Sequence, residues 1–204
     1  MRIENIPDYL QKIDTQALEW MRSLINTDNA FIVTSIQYMA DMEIIPMFML
    51  ILGLWAWGIY RKKDEYKKKA LLLIYCISID YALYWCLSLF VFSRTRPELV
   101  SAIAPLIQHI PDNSFPSGHA VFAGASIVGL YLIGNRLLLS IFSILFTAML
   151  LSRIFAGIHY PGDIIAGVII GAGFAGGLSL LRNKKWFEIY AIQLPIKIAS
   201  YAKL

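Results

Sequence analysis

The chain has 204 residues, of which 58% are hydrophobic and 16% are charged, and its mean hydropathy is +0.60. An ordinary soluble domain carries about 25% charged residues, so this composition excludes a domain whose whole surface faces water. The net charge of +4 does not indicate a nucleic-acid-binding protein, because the cations cluster beside apolar segments, as they do in membrane proteins. The length is that of a single domain.

The N-terminal flank, residues 1–43, is too polar to cross a membrane. Residues 1–30 lack the apolar core of a cleavable signal peptide, so we expect insertion through the first membrane helix. Residues 8–26 combine apolar and charged positions in the pattern of an amphipathic helix on a membrane surface.

Five segments approach or reach the 20 or so apolar residues that a membrane-spanning helix needs. They are Ile44–Tyr60, Leu71–Phe92, His119–Ile133, Leu137–Phe155 and Asp163–Leu181. Residues 182–204 mix aromatic, apolar and basic residues and predict a second amphipathic flank. The sequence therefore predicts an all-α membrane helix bundle forming one domain over 1–204, with about five spans in a core over 44–181.

The basic residues of the connections predict the orientation of these spans. Six cations lie in residues 61–69, Arg136 follows the third span, and three more cations lie in 182–185. Five spans bring these connections to one side, which the positive-inside rule makes cytoplasmic. Residues 1–43, with seven acids against three cations, and the loops 93–118 and 156–162 then face the extracytoplasmic side.

The cysteines and the glycine-rich fifth span are interpreted as packing features. Cys76 and Cys86 are ten residues apart and lie on different faces of one helix, so we expect neither a disulfide nor a metal site. Gly167 with Gly171, and Gly173 with Gly177, have the spacing at which helix backbones approach closely in lipid. We expect packing within the bundle, with a dimer interface as the alternative.

Three polar clusters lie at the predicted outer ends of spans, in residues 93–97, 116–119 and 152–163. Ionisable groups at membrane depth are costly and mark functional sites. Arginine guanidinium groups bind phosphate oxygens in pairs, and the free N–H groups at a helix N-terminus attract anions. The clusters therefore predict a phosphate site.

Two histidines and an aspartate add the groups that phosphoryl transfer needs. A neutral imidazole can attack phosphorus while a protonated one donates to the leaving oxygen, and an acid can fix the tautomer of the first. His159 and Asp163 are four residues apart across a Pro-Gly turn, and His119 opens another span. A metal site built from the same three residues is an alternative, although the neighbouring arginines would repel a cation.

These clusters resemble the motifs of the type 2 phosphatidic acid phosphatase superfamily, which includes lipid phosphatases and vanadium haloperoxidases. Its order of motifs is Lys, six residues and Arg-Pro; then Pro-Ser-Gly-His; then Ser-Arg, five residues, His, three residues and Asp. The matching positions here are Arg96-Pro97, residues 116–119, Ser152-Arg153, His159 and Asp163. One position departs, because Leu89 stands where the family has its lysine.

The resemblance implies a role for each matching residue. His159 would attack phosphorus to form a phosphohistidine, Asp163 would orient His159, and His119 would protonate the leaving group and then activate water. The residues that would hold the phosphoryl oxygens are Arg96, Ser117, Gly118 and Arg153. Arg94 is the nearest cation that could replace the family lysine, with interfacial anchoring as its alternative role. No metal or other cofactor is implied.

The expected substrate is a lipid phosphate or diphosphate reached from the outer face of the plasma or inner membrane. The layout also resembles the bacterial branch that includes undecaprenyl diphosphate phosphatases, in the loop 110–119 and the amphipathic C-terminus among other features. Phosphatidylglycerophosphate, phosphatidic acid and lipid A phosphates remain alternatives. An anion transporter would need polar residues along a route through the bilayer, and a purely structural anchor would leave the histidine–arginine clusters unexplained.

Overall fold

The computed structural model describes residues 3–4, 6–40, 42, 44–100, 103–108 and 113–201. His109, for which no motif suggested a role, lies outside these residues. The helices are α1 (Asp8–Ser23), α2 (Ala30–Ala40), α3 (Ile44–Arg61), α4 (Asp64–Phe90), α5 (Pro97–Val100), α6 (Gly118–Leu132), α7 (Arg136–Phe155), α8 (Pro161–Leu181), a π-helix (Phe187–Gln193) and α9 (Leu194–Tyr201). Two-residue strands β1 (Ile3–Glu4) and β2 (Phe92–Ser93) pair in parallel. The predicted all-α membrane bundle is confirmed.

Four of these helices, α3, α4, α7 and α8, are long and apolar enough to cross a membrane. The remaining predicted span, the third in chain order, is α6, whose 15 residues rise only about 22 Å at about 1.5 Å per residue, against a hydrocarbon core of about 30 Å. It packs against α4, α7 and α8, which surround it. The short helix is therefore the centre of the bundle.

The helix that contains the second predicted span begins at Asp64, seven residues before the apolar run predicted from Leu71. Lysine has a good helix propensity, and its long apolar stem lets the charge reach water from a buried backbone. Asp64 and Glu65 in the first turn also interact favourably with the helix dipole. The lysine residues 67–69 therefore lie within α4.

The N-terminal flank contains one predicted helix and one that the sequence did not reveal. The amphipathic helix expected over 8–26 is α1. The additional helix, α2, begins after Asn29, whose side chain accepts hydrogen bonds from the backbone N–H groups of Phe31 and Ile32, and it packs on α7. Its 11 residues are too few for a span, and it lacks a polar face.

The C-terminal flank folds back on the N-terminal half of α4. The hydroxyl of Tyr75 donates to the carbonyl of Ala191 at 2.7 Å, and Lys68 pairs with Glu188 at 2.6 Å. The two cysteines are both free, Cys76 buried and Cys86 exposed, in agreement with the expected absence of a disulfide between them.

The contact between α6 and α8 is the tightest feature of the bundle. A Cβ atom placed on Gly171 would lie 2.0 Å from the backbone oxygen of Val121, and one on Gly124 would lie 2.3 Å from that of Val168. The two backbones therefore touch, as small residues allow in membrane helices. At the N-terminal ends of the two helices, the N–H of Ser117 donates to the carbonyl of Asp163 at 3.3 Å.

The glycine pairs of α8 divide between two environments. Gly167 and Gly171 both face α6, which confirms packing within the bundle for the first pair. Gly173 and Gly177 have no atom of another element within 4 Å of a Cβ position. The second pair therefore leaves an open side of α8.

We expect the variant Gly171→Ala to destabilise the protein by about 1–3 kcal/mol, as overpacking of a close contact does. The added methyl group meets a backbone oxygen, which cannot rotate away. Thermal unfolding in detergent measures the change. Gly173→Ala, in the same helix but open space, is the matched control and should be neutral or slightly stabilising; equal midpoints for the two variants would contradict the proposed clash.

Candidate active site

A cavity of about 190 Å³ lies between the C-terminal ends of α4 and α7 and the N-terminal end of α6. Its polar lining residues come from all three predicted clusters and are Arg96, Gly118, His119, Arg153 and His159. Its apolar lining residues are Ile44, Tyr81, Tyr84, Trp85 and Phe122. The fold thus brings both predicted histidines and two predicted phosphate-binding arginines into one cavity.

His159 lies in the turn between α7 and α8 and is 2% exposed. Its Nδ1 atom is 3.1 Å from the backbone oxygen of Ser114, and its Nε2 atom is 3.2 Å from Nη1 of Arg96. A carbonyl can only accept and a guanidinium can only donate. These two partners therefore assign the proton to Nδ1 and the lone pair to Nε2, which accepts a hydrogen bond from Arg96 in this structure.

Asp163 occupies the first turn of α8 and has no solvent exposure. Its Oδ2 atom accepts from the hydroxyl of Ser114 at 2.6 Å and from the backbone N–H of Tyr160 at 3.1 Å. The same oxygen is 3.6 Å from Nδ1 of His159, which is an ion-pair distance and too long for a hydrogen bond. Ser114 therefore connects the carboxylate to the imidazole, using its hydroxyl for one and its carbonyl for the other.

The two arginines of the cavity are buried, and each is held by a hydrogen bond to a backbone carbonyl. Arg96, 3% exposed, donates from Nη1 to the carbonyl of Ile158 at 2.8 Å. Arg153, 0% exposed, donates from Nη1 to the carbonyl of Ala40, the last residue of α2, also at 2.8 Å. Cations fixed in this way can stabilise charge on a phosphoryl group without reorganising during the reaction.

The N-terminus of α6 supplies the third side of the cavity. Ser117 precedes its first turn, is fully buried, and its hydroxyl has no hydrogen-bond partner among the described residues. Gly118 and His119 form the start of the first turn, where backbone N–H groups have no acceptor within the helix. A Cβ atom at Gly118 would lie 3.0 Å from the ring of Tyr84, so the missing side chain keeps this wall compact.

Arg94 lies apart from the cavity that holds the histidines. Its Nη1 atom is 2.5 Å from Oδ1 of Asp163 and 2.8 Å from Oδ2 of Asp14. It lines a second, polar cavity of about 530 Å³ together with Asp8 and Gln11 of α1. Leu89, at the family's lysine position, is 44% exposed on α4. The phosphate contact expected of Arg94 stays a prediction.

Sequence reasoning missed three residues of this region. Ser114 lies two residues before the Pro-Ser-Gly-His motif, and its position there was the available signal. Gln11 and Asp14 contact Arg94 from α1, and nothing in the sequence relates this helix to the motifs. Ser152, whose role the motif left open, donates to the carbonyl of Ala148 in its own helix at 2.8 Å.

The alternative interpretation of this site is a metal centre built from His119, His159 and Asp163. Among the residues that the structure describes, no group of three histidine, cysteine or acidic side chains is arranged to hold a metal ion. Both ring nitrogens of His159 face protein partners, one of them a guanidinium.

Comparison with known families settles the kind of protein. A model of the PAP2 superfamily, the type 2 phosphatidic acid phosphatases, matches residues 69–187. The chain belongs to the PAP2 superfamily. It is a membrane lipid phosphatase that hydrolyses phosphate esters, and this excludes the anion transporter and the structural anchor that its polar clusters alone left open.

Similar PAP2 proteins include enzymes with different lipid substrates. The undecaprenyl-diphosphatase BcrC of Bacillus subtilis is 29% identical over 161 residues, covering 76% of this chain and 79% of BcrC. A lipid A 4'-phosphatase of Bacteroides thetaiotaomicron is 29% identical over 182 residues, covering 84% of this chain and 77% of that enzyme. The crystal structure of Aquifex aeolicus LpxE superimposes with a TM-score of 0.66 at 23% identity, over 88% of this chain and 99% of LpxE. The last comparison shows a common fold.

We expect Ser114→Ala to lower kcat by about 10- to 100-fold, the effect of removing a hydrogen bond to a charged group. The variant removes the 2.6 Å bond to Asp163 and leaves the carbonyl contact with His159 in place. Phosphate release from a lipid phosphate in detergent measures the loss. Ser152→Ala is the matched control, because its hydroxyl bonds only within its own helix; equal rates for both variants would contradict a role for the Ser114 hydroxyl.

Proposed function

We propose that this PAP2 phosphatase converts undecaprenyl diphosphate to undecaprenyl phosphate and inorganic phosphate at the extracytoplasmic face, through a phosphohistidine on His159. The observation that carries the proposal is the fixed ring of His159. Its Nε2 atom lies beside Arg96 in a cavity that His119 and Arg153 also line.

In the first step, Nε2 of His159 attacks the terminal phosphorus. The bond from phosphorus to the bridging oxygen breaks, and His119, in its protonated form, donates its proton to that oxygen. Arg96, Arg153 and the N-terminus of α6 balance the charge that grows on the phosphoryl oxygens. Asp163 and Ser114 stabilise the positive charge that the His159 ring acquires.

In the second step, the neutral His119 accepts a proton from water while the water oxygen attacks phosphorus. The bond from phosphorus to Nε2 breaks, which releases inorganic phosphate and restores the neutral His159. His119 ends the cycle protonated, ready for the next substrate. Atoms and charges balance as diphosphate plus water giving two phosphates.

The walls of the cavity support a lipid as the substrate. Ile44, Tyr81 and Trp85 line the cavity and are nevertheless 58%, 47% and 47% exposed at the outer surface of the bundle. A cavity with polar groups inside and apolar or aromatic groups at its edge suits a molecule with a phosphate head and a hydrocarbon tail. The tail would pass between α3 and α4 into the surrounding lipid.

The orientation is supported by the basic connections. The cation-rich residues 61–63, 136 and 182–185 all lie at the end of the bundle opposite the histidine cavity. By the positive-inside rule that end is cytoplasmic, so the cavity opens on the extracytoplasmic side of the cell membrane.

The undecaprenyl substrate is supported by the similarity to the Bacillus subtilis undecaprenyl-diphosphatase over three quarters of this chain.

A lipid A phosphate is the second candidate. It is favoured by the similarity to the Bacteroides lipid A 4'-phosphatase. That similarity covers 84% of this chain, whereas the similarity to BcrC covers 76%. The contacts of the cavity are to a phosphoryl group, and either lipid presents one.

Variants of the two histidines should have different kinetic effects, because the proposed mechanism gives the histidines different roles. We expect His159→Ala to lose phosphate release by at least about 10⁴-fold, as nucleophile removal does in hydrolases. His119→Ala should form phosphoenzyme from p-nitrophenyl phosphate, whose leaving group needs no proton, much faster than from a lipid phosphate. Because His119 is also the base that activates water, the variant should hydrolyse this phosphoenzyme slowly and accumulate it, measurable as alkali-stable, acid-labile labelling from ³²P-labelled p-nitrophenyl phosphate. Substantial turnover by His159→Ala would overturn the nucleophile assignment.

A substrate panel tests the lipid. We expect kcat/KM for undecaprenyl diphosphate to exceed that for lipid A phosphates, phosphatidylglycerophosphate and phosphatidic acid by about tenfold or more, the factor that about 1.4 kcal/mol of binding preference gives. The His159→Ala variant supplies the blank for each lipid. A higher kcat/KM for lipid A would favour the second candidate and leave the mechanism unchanged.

A further inference from the structure

We infer that α1 completes the catalytic machinery: its residues Asp14 and Gln11 hold Arg94 against Asp163, and all three act as positioning residues for the nucleophile. The inference rests on the proposed function, in which His159 attacks phosphorus. It concerns a helix outside the region that the family model matches, which begins at residue 69.

The guanidinium of Arg94 is almost fully engaged by protein partners. Its Nη1 atom contacts Asp163 at 2.5 Å and Asp14 at 2.8 Å. Its Nε and Nη2 atoms donate to Oε1 of Gln11 at 3.0 and 2.8 Å. Its plane lies over the ring of Tyr160, with Cζ 3.8 Å from the ring centre. Little donor capacity is left for a phosphoryl group.

The charge of Arg94 meets a need that the motif residues do not meet. Asp163 is a carboxylate without solvent exposure, and a buried charge is costly unless it is paired. Its Oδ2 atom has two neutral donors, whereas its Oδ1 atom has the guanidinium. Arg94 therefore supplies the charged partner of Asp163 behind the His159 ring, where the phosphohistidine develops a positive charge.

Asp14 fixes both sides of this contact. One of its oxygens binds Arg94, and the other accepts from the backbone N–H of Gly162 at 2.8 Å. Gly162 is the residue before Asp163 in the first turn of α8, where N–H groups have no partner within the helix. A Cβ atom on Gly162 would lie 2.5 Å from the Asp14 carboxylate, so the two segments are in direct contact.

Other residues of α1 hold this helix against α6, α7 and α8. Leu18 has no exposed surface and packs with Ala120, Tyr160 and Ile164. Arg22, at the last turn, donates to the carbonyls of Phe155 and Ala104. An amphipathic helix that only rested on the membrane surface would not need these specific contacts with the loop that carries His159.

The test uses the full-length enzyme with variants of α1 and Arg94. Asp14→Asn keeps the size and an acceptor for Gly162 and removes only the charge; Asp14→Ala removes both contacts. Asp8→Asn is the matched control, with the same change of charge on the same helix at an exposed residue. The substrate is the lipid phosphate with the highest turnover, and inorganic phosphate is the competitive inhibitor.

We expect Asp14→Ala and Arg94→Ala to lower kcat by about 10- to 100-fold, as loss of a charged hydrogen bond does. KM and the inhibition constant for phosphate should stay within about twofold, because the cavity arginines are untouched. Arg94→Lys should recover part of kcat, Asp14→Asn should lose less than Asp14→Ala, and Asp8→Asn should match the wild type. The rate of phosphoenzyme formation should fall in parallel with kcat.

Three results would overturn the inference. A higher phosphate inhibition constant with unchanged kcat in Arg94→Ala would make Arg94 a phosphate ligand. A wild-type kcat per folded molecule, with less folded protein by size-exclusion chromatography, would give α1 a structural role alone. If Asp14→Ala fails to fold, a wild-type kcat for both Asp14→Asn and Arg94→Lys would have the same meaning. Activity of His159→Ala would instead show that the proposed function itself is wrong.

Discussion

A carboxylate with no solvent exposure, in the first turn of an apolar helix, is the constraint on which this structure depends. The carboxylate of Asp163 is stabilised by hydrogen bonds from the hydroxyl of Ser114, the backbone N–H of Tyr160 and the guanidinium of Arg94. Each donor belongs to a different element or turn. The loop 113–117, the segment after β2 that carries Arg94, and the start of α8 are therefore brought together by the need to stabilise one buried charge that water does not reach.

The same arrangement fixes the orientation of the His159 ring. Its Nδ1 atom faces a carbonyl and its Nε2 atom faces a guanidinium, so Nε2, the atom proposed to attack phosphorus, is held beside Arg96 in the cavity before any substrate binds. The arginines are held in the same manner by carbonyls of Ile158 and Ala40. Preorganised groups of this kind contribute most where water is excluded, which an apolar bundle provides.

Much of the fold followed from the sequence because long apolar runs and basic connections have few structural solutions in lipid. The predicted spans agree closely with the helices, and α4 starts earlier, at Asp64, because the lysines before the apolar run have a good helix propensity. The histidines and cavity arginines were predicted from motif spacing. Ser114, Asp14 and the function of α2 were not, because each acts through a contact between segments that are distant in sequence or through its backbone. Such contacts carry no local pattern.

The backbone contact between α6 and α8 has a consequence for movement. Two helices whose carbonyls touch at Gly124 and Gly171 have no side chains between them that could change rotamer. The phosphate cradle at the start of α6 and Asp163 at the start of α8 must therefore shift as one rigid unit or not at all.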